Sequence, residues 1–395
     1  MNDYVIQVAA SPLDLDPLAW DGLLATQSHA TPFMHHAYLS ALHSSGSASA
    51  HSGWEPRFVC LHDAQGLAAA VALYVKDRSM GEYVFDWAWA NAYHQHGVPY
   101  YPKAVVAVPF TPVPGSRLLA RDAPARQALV CTLVDLCKQW KLSSLHLLFG
   151  ADDDIAACEA AGLMLRHTVQ FHWNNTLPGY ADFDAFLASL AQDKRKKIRQ
   201  ERRKVGDAGV QFRHAEGAAI SPQDWDFFYH CYERTYLEHG NPPYLNPDFF
   251  RHMAQDMPEN WLLFIAERNG RPIASSLIAI GNYPVARNGE ASAAMEQVAY
   301  GRYWGALERV DCLHFEVCYY QPLEWCIARG YQRFEGGAQG EHKMARALLP
   351  VKTSSAHWIA HPEFSNAIAN FLQREGSGIA NYMDDLQARN PLRKD

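Results

Sequence analysis

Six residues that can exchange protons or hold charged groups crowd into a short stretch near the end of the chain. They are Glu335, Gln339, Glu341, His342, Lys343 and Arg346. A carboxylate or an imidazole can take a proton from an ammonium group, and lysine or arginine can bind a carboxylate or a phosphate. We expect Glu335 or His342 to act as the base. The expected substrate contacts are Gln339, Lys343 and Arg346, and the alternative is a solvated surface loop.

The predicted secondary structure makes two carboxylates, Glu335 and Glu316, candidates for catalysis. Residues 331–334 are predicted to form a strand, so Glu335 stands at its end, where ligands bind to open α/β sheets. Glu316 is a further catalytic candidate because it lies in a largely apolar helical run. A buried carboxylate must be paired, and burial raises its pKa. The alternative for Glu316 is a structural partner in the core.

Two glycine-containing loops are predicted ahead of helices, where free backbone N–H groups suit a phosphate. The loop between strand 297–300 and helix 313–329 contains Gly301, Arg302, Tyr303, Trp304 and Gly305. The other loop, residues 111–117, offers the guanidinium of Arg117 ahead of a helix that begins near residue 124. The alternative for both is a tight structural turn with a surface arginine.

The first half of the chain contains a mixed aromatic and polar segment. Its candidates for substrate contacts are Asp86, Trp87, Tyr93 and Lys103. Aromatic faces with hydrogen-bonding tips suit a sugar, a nucleotide or an amino acid, and ordinary packing is the alternative. His94 and His96 form one H-x-H pair without an evident third ligand, so we expect no metal.

A basic run occupies residues 193–204, with eight basic and two acidic residues. Ile198 and Val205 continue an apolar stripe at helical spacing, which predicts a helix with its charges in solvent. The alternative is phosphate binding, whether of coenzyme A, a nucleotide sugar or the acceptor stem of tRNA. The residues that would bind phosphate are Lys194, Arg195, Lys197, Arg199 and Arg202.

The composition is that of a globular protein. Its 395 residues are 48% hydrophobic and 12% aromatic, enough for a large core and for two domains or a duplicated fold. The net charge of −7 argues against a general nucleic-acid binder. The eight cysteines lack C-x-x-C pairs and are expected to be reduced. Without a basic leader or an apolar run of about 18 residues, the chain is expected to be cytoplasmic, with no membrane span.

A repeated order of elements runs through the chain. In each half, two helices precede a hairpin, which precedes a strand, helix and strand unit. These elements are predicted at residues 17–26, 34–44, 57–75 and 104–149 in the first half and at 222–238, 247–257, 261–280 and 297–334 in the second. The repeat predicts two α/β modules, residues 1–178 and 179–395.

This order resembles that of the GNAT acetyltransferase superfamily. Several segments are also similar to those of a bacterial family of predicted N-acyltransferases, which itself resembles the Fem aminoacyl-transferases of peptidoglycan synthesis. The segments are Gly81–Asp86, Tyr100–Lys103, Pro109–Pro112, Gln170–Trp173, Tyr300–Gly305, Leu313–Glu316 and Glu335–Lys343. The resemblance runs from Pro32 to about Glu375, and it implies tandem GNAT-like modules with mixed sheets flanked by helices.

The resemblance implies direct transfer of an acyl or aminoacyl group from a carrier to an amine, without a covalent enzyme intermediate. We expect an N-acyltransferase with acyl-CoA as co-substrate and a small-molecule amine as acceptor. A second hypothesis is Fem-like transfer of an amino acid from aminoacyl-tRNA to a cell-wall precursor, with tRNA bound along residues 194–204. A third is a non-catalytic binding protein on a degenerate transferase fold.

Overall fold

The computed structural model describes residues 4–175, 178–287, 290–338 and 340–393. The chain forms two compact units, each built from several segments. Unit 1 consists of Met1–Thr168, Pro284–Ala294 and Lys352–Tyr382, and unit 2 consists of Val169–Tyr283, Met295–Val351 and Met383–Asp395. The division between residues 178 and 179 stays a prediction.

The described residues form thirteen strands and twelve α-helices. The strands are β1 (Val5–Ala9), β2 (Glu55–Asp63), β3 (Gly66–Lys76), β4 (Lys103–Val106), β5 (Leu119–Ala120), β6 (Ser144–Gly150), β7 (Met164–Asn174), β8 (Val210–Glu216), β9 (Trp261–Arg268), β10 (Arg271–Arg287), β11 (Glu290–Ala306), β12 (Arg333–Ala338) and β13 (Leu349–Ile359). The helices are α1 (Pro17–Ala25), α2 (His36–Ser44), α3 (Trp87–Gln95), α4 (Ala123–Gln139), α5 (Asp152–Ala160), α6 (Phe183–Ser189), α7 (Gln192–Asp207), α8 (Pro222–Glu238), α9 (Pro247–Asp256), α10 (Leu313–Phe315), α11 (Gln321–Arg329) and α12 (Pro362–Ala388).

Unit 1 contains a mixed sheet with the strand order β1-β2-β3-β4-β6-β13, and β5 pairs with β3. The predicted hairpin is confirmed as β2 and β3, and β4 runs parallel to β6. Helix α4 connects the two parallel strands. It begins where the Asp122 side chain accepts a hydrogen bond from the amide of Ala125, and its apolar face packs into the core under the sheet.

In unit 2 the strands follow the order β7-β12-β11-β10-β9-β8, with parallel and antiparallel pairs. The second predicted hairpin is confirmed as β9 and β10, and β11 runs parallel to β12. Helices α8 and α9 begin at the predicted prolines. Ser221 and Asp224 form a capping box on α8, and Asn246 caps α9.

The helix predicted over residues 313–329 is confirmed, but it is irregular. A π-helical segment, Glu316–Tyr320, joins α10 to α11. Such segments are rare and frequently accompany functional sites, because the extra residue in the turn redirects the side chains around it. Helix α11 ends at Gly330, which has a φ of 74°.

The prediction of a turn at Gly301–Gly305 was wrong, because β11 continues to Ala306. These glycines instead permit close packing. A Cβ atom at Gly305 would overlap the carbonyl oxygen of Cys231 in α8, and one at Gly301 would lie 3.1 Å from Cζ of Phe334. Gly305 therefore fixes the contact between β11 and α8.

Gly305→Ala is expected to destabilise the chain by about 1–3 kcal/mol, because β11 and α8 must move apart to admit a methyl group. Urea denaturation followed by circular dichroism measures this loss. Gly376→Ala in α12 is the matched control, since a Cβ there meets no atom within 4 Å. It is expected to be neutral or slightly stabilising. Equal stability of the two variants would contradict the packing argument.

Candidate functional site

A cleft opens in unit 2 where the parallel strands β11 and β12 part. Their pairing runs from Val298 beside Arg333 to Tyr300 beside Glu335 and then stops in the described residues. Beyond that point the strands line a cavity of about 160 Å³. Its lining residues are Ser276, Gly301, Arg302, Tyr303, Trp304, His314, Cys318, Tyr319, Phe334 and Gly336. One edge of β11 is thus left open to a ligand.

A glycine pair in β12 shapes this cleft. The register between β12 and β7 shifts between Glu335 and Ala338, and Gly337 has a φ of 75°. A Cβ atom at Gly336 would overlap the side chain of Leu348 and lie 3.1 Å from the carbonyl oxygen of Phe171. The irregularity in β12 therefore begins where its pairing with β11 ends, at the start of the cleft.

Two groups in the cleft can move protons. Burial and the neighbouring His342, Arg346 and Lys343 lower the pKa of His314 to about 4, so its imidazole is neutral at pH 7. Its ring nitrogens have no hydrogen-bond partner within the described ranges. Burial raises the pKa of Tyr319, so its phenol stays protonated. A neutral imidazole and a phenol form a base and acid pair, and their ring centroids are 5.6 Å apart.

A second cavity of about 590 Å³ adjoins the first, and Trp304 and His314 line both. It lies along the loop of residues 307–312 that connects β11 to α10. In the part of the chain that is described, the backbone N–H groups of residues 308–312 donate no hydrogen bond. Arg234 and Arg309 line this cavity together with Glu238 and Glu308. Free amides and two guanidinium groups suit a phosphate-bearing ligand, partly opposed by the two carboxylates.

The turn Glu341–Arg346 packs beside the cleft. Nε2 of His342 lies 3.3 Å from the hydroxyl of Tyr319, and burial lowers the pKa of His342. Arg346 is 1% exposed; its guanidinium donates to Glu201 at 2.7 Å and to the carbonyl of His342 at 2.6 Å. Glu201 also accepts a hydrogen bond from Tyr320. Arg346 therefore attaches the turn to α7 and to the π-helical segment.

Lys343 is buried next to the cleft. Its Nζ donates to the carbonyl of Gly337 at 3.2 Å, and burial lowers its pKa to about 8. The predicted substrate-binding roles of Lys343 and Arg346 stay predictions, and the structure gives both side chains partners inside the protein. Gln339, the third predicted contact, lies outside the described residues.

The two candidate carboxylates lie away from the cleft. Phe334 and Gly336 line the cavity, so Glu335 faces the opposite side of β12, inside the strand and not at its end. There it accepts a hydrogen bond from Arg333 at 3.0 Å. Glu316 is 3% exposed and binds Arg202 and Gln321, and burial raises its pKa despite the arginine. The placement predicted for Glu335 was therefore wrong, and catalytic roles for both stay predictions.

A family model settles the relationship of this chain to known proteins. The model, FemAB_like, is described as peptidoglycan biosynthesis/recognition and matches residues 12–394. The chain belongs to this family. A search of the curated proteins found no match. Membership confirms the predicted resemblance to the Fem aminoacyl-transferases and makes this FemAB_like chain a transferase enzyme.

Solved structures support the fold of the FemAB_like chain, at low sequence identity. A C-terminal domain from Agrobacterium fabrum, of a protein named as a lysylphosphatidylglycerol synthetase, is 10% identical with a TM-score of 0.52, covering 93% of this chain and 97% of that one. FemX is 9% identical with a TM-score of 0.52, covering 92% and 100%. L-PGS from Bacillus licheniformis is 11% identical with a TM-score of 0.52, covering 90% and 95%. The predicted GNAT-like α/β fold is confirmed.

The corresponding position in unit 1 is filled by the chain itself. Its parallel strands β4 and β6 pair as far as Val106 beside Leu147, and Gly115 then bridges to Gly150 in the gap. Arg117 follows, 1% exposed, with its Nε donating to the carbonyl of Leu148 at 3.2 Å. The open loop predicted around Arg117 was wrong, because its guanidinium satisfies carbonyls of its own unit. A cofactor-binding role for Arg117 stays a prediction that this burial does not favour.

The predicted substrate residues of the first half are mostly internal. Lys103 is fully buried and donates to Glu82 at 2.8 Å and to Asp86, which is 3% exposed. Tyr93 is 1% exposed, whereas Trp87 is 60% exposed. The prediction that Asp86 and Lys103 line a substrate groove was therefore wrong, because their opposite charges pair with each other inside the core.

The basic run forms helix α7, as predicted. Ile198, Glu201 and Val205 form its buried face. The exposed face carries five cations, which we call the cationic stripe: Lys196, Lys197, Arg199, Arg203 and Lys204. Of the residues predicted to bind phosphate, Lys197 and Arg199 belong to it. The others, Lys194, Arg195 and Arg202, are half-buried and bind Asp193, the carbonyl of Ala188, and Glu316 with Glu324 respectively.

Sequence reasoning missed His314 and Tyr319 as the groups that face the cleft. No role was predicted for either residue, and Glu316 was the candidate in this helical run. A possible signal was their position in the first turns of the helix that follows a central strand. The π-helical segment, which the sequence does not announce, turns Tyr319 toward His342.

Within the described ranges, no helix combines the length and the apolar character needed to cross a membrane. The same residues contain no group of three or more histidine, cysteine or acidic side chains placed to hold a metal ion.

Proposed function

We propose that unit 2 transfers an acyl group from acyl-CoA to an amine at the cleft between β11 and β12. The observation that carries the proposal is the parting of two parallel strands beside a neutral imidazole and a protonated phenol. The narrow cavity of about 160 Å³ suits the thioester end of the carrier. The adjoining cavity of about 590 Å³, with its unpaired loop amides, suits the phosphates.

The reaction follows from these placements. The acceptor ammonium loses a proton to His314, and the neutral nitrogen attacks the thioester carbon. Backbone N–H groups at the open edge of β11 polarise the carbonyl oxygen. The carbon–sulfur bond breaks as the carbon–nitrogen bond forms, and Tyr319 gives its proton to the leaving thiolate. The attacking nitrogen then gives its second proton to the Tyr319 phenolate, and His314 releases its proton to solvent. The products are an amide and free coenzyme A, with no covalent intermediate on the enzyme.

A binding experiment tests the donor. Calorimetry with coenzyme A, acetyl-CoA and octanoyl-CoA should detect binding, and each ligand that binds the native state should raise the melting temperature. Gly301→Val narrows the cleft against Phe334, so it should abolish binding of the acyl end. Acyl-CoA would be refuted as the donor if Gly301→Val still bound the acyl-CoAs, or if the unmodified protein bound no acyl-CoA at all.

Aminoacyl-tRNA is a second candidate donor, and the cationic stripe on α7 favours it. Lys196, Lys197, Arg203 and Lys204 form no ion pair within the described residues, so they remain available to phosphates. Positions 196 and 203, like 197 and 204, lie seven residues apart on one face of the helix, which gives a continuous band of positive charge. Such a band suits the backbone of a nucleic acid.

Charge reversal of the stripe should separate the two donors. The quadruple variant Lys196→Glu, Lys197→Glu, Arg203→Glu and Lys204→Glu is expected to weaken tRNA binding and to reduce the slope of log affinity against log salt by about 1 for each lost contact. Binding of acyl-CoA should not change. Filter binding at several salt concentrations measures the tRNA affinity and its salt dependence. Arg251→Glu with Arg271→Glu, at exposed positions elsewhere in unit 2, is the control. Unchanged tRNA binding would exclude the cationic stripe as the tRNA-binding surface.

The acceptor that we propose is an amine of a cell-wall precursor, because the family is described by peptidoglycan biosynthesis/recognition. We place the reaction in the cytoplasm, where both candidate donors are made. Mass spectrometry of the precursor, after incubation with enzyme and donor, tests this step. A mass increase equal to the acyl or aminoacyl group is expected. No change with a donor that binds the cleft would redirect the search to other amines.

A further inference from the structure

Unit 1 has a cavity of about 610 Å³ that the proposed reaction does not use. It lies at the C-terminal end of α4, beside the first residues of β6 and the last residues of β13. This is the opposite end of β4 and β6 from the gap that Gly115 fills. The volume falls within the usual range of small-molecule sites.

The walls of this cavity are largely apolar. Val98, Pro99, Pro102, Leu142 and Trp358 contribute carbon surface. Tyr101 adds an aromatic ring. An apolar or aromatic group moved from water onto these walls gains free energy roughly in proportion to the apolar area that it buries.

The charged side chains in the lining are all basic. Lys138 and Lys141 line the cavity, and no carboxylate does. Lys138 is paired with Asp135 at 3.1 Å, whereas Lys141 forms no ion pair in the described part of unit 1. The rim therefore carries one uncompensated positive charge, which matches a ligand with a single negative charge.

The inner wall also contains unused hydrogen-bonding capacity. Tyr93 and His361 line the cavity, and the hydroxyl of Tyr93 and Nδ1 of His361 are buried with no hydrogen-bond partner in the described structure. Burial raises the pKa of Tyr93 to about 12, so the hydroxyl remains a donor. Unpaired buried polar groups are costly, and a ligand oxygen can satisfy them.

We propose that this cavity binds a small amphipathic carboxylate, with its hydrocarbon part against Trp358 and Leu142 and its carboxylate at Lys141. The proposal does not depend on the reaction assigned to unit 2. Apolar walls, one free lysine and an unpaired phenol define the ligand class: a medium-chain or aryl-substituted monocarboxylic acid.

Isothermal titration calorimetry of the whole chain tests the proposal with octanoate and 4-phenylbutyrate. Octylamine has a similar chain and the opposite charge, and it should not bind. Lys141→Gln should weaken octanoate about tenfold or more, and Tyr93→Phe should weaken it several-fold. Lys138→Gln should have a smaller effect, because Lys138 already has Asp135. Lys352→Gln, at another exposed lysine of unit 1, is the control.

A cavity-filling variant makes the result decisive. Ala360 is exposed and lines the cavity, so Ala360→Trp can fill its mouth without disturbing the core. It should abolish binding of both acids while the melting temperature of the free protein stays unchanged. The proposal is overturned if neither acid binds, if octylamine binds as well as octanoate, or if binding survives both Lys141→Gln and Ala360→Trp.

Discussion

His314→Gln is expected to lower kcat for acyl transfer by about 10²–10⁴-fold, because the acceptor ammonium loses its base. Glutamine keeps a polar side chain of similar length but cannot take the proton. The effect should fall mainly on kcat, since His314 takes a proton from the acceptor, whereas backbone N–H groups of β11 and the 307–312 loop hold the carrier's carbonyl and phosphates. Steady-state kinetics with the donor identified by calorimetry measure both constants.

The pH profile gives an independent signature of His314. Its neutral form is the active one, and burial lowers its pKa to about 4. The His314 contribution should therefore be constant from pH 8 to about 5 and be lost only as the pH falls through 4. His342→Gln is the matched control. His342 is an exposed residue, and its ring centroid lies 6.3 Å from that of His314. A larger loss in the control would move the base to His342, which together with Glu335 was a base candidate from sequence.

Arg346→Ala is expected to destabilise the chain by about 3–5 kcal/mol, because it leaves the buried carboxylate of Glu201 without its counter-charge. The side chains of this pair are 2% and 9% exposed. The same change releases the turn that holds His342 beside Tyr319. Urea denaturation measures the free energy of unfolding, and loss of activity below the unfolding transition would report detachment of the turn.

Arg389→Ala is the matched control for Arg346. Arg389 binds Glu341, in the same turn, at 2.9 Å, but these side chains are 55% and 49% exposed. Solvent screens such a pair, so the expected loss is at most about 1 kcal/mol. Similar losses in the two variants would show that burial does not distinguish these ion pairs.

The elements were largely readable from the sequence. Both hairpins formed, and α8 and α9 begin at the predicted prolines, because turn glycines and Ser-Pro and Asn-Pro signals act locally. The basic run forms a helix with a solvated face, as its apolar stripe at helical spacing predicted. Pairing of opposite charges across the core was not readable. Lys103 and Asp86 are seventeen positions apart in sequence, and only the packed sheet brings them into contact.

The site was predicted in part. Gly301, Arg302, Tyr303 and Trp304 do line the cleft, although in a strand where a turn was predicted. Glu335 was misplaced because the strand extends beyond Phe334, and one added residue reverses the face that a side chain occupies. An irregular element such as the π-helical segment has no periodicity in sequence. Its effect on Tyr319 could not be anticipated.

The sequence by itself determined the order of elements that makes up the tandem α/β modules, since hydrophobic periodicity and turn chemistry are local properties of the chain. The resemblance to the Fem transferases came from similar segments, among them Tyr300–Gly305 and Glu335–Lys343. Only the tertiary structure decided which module has an open cleft. In unit 1, Gly115 and Arg117 lie in the gap between the parallel strands. In unit 2, β12 becomes irregular at Gly336 and Gly337, and the corresponding gap is the cleft. Both outcomes depend on close contacts between residues distant in sequence, where the presence or absence of one Cβ atom decides what fits.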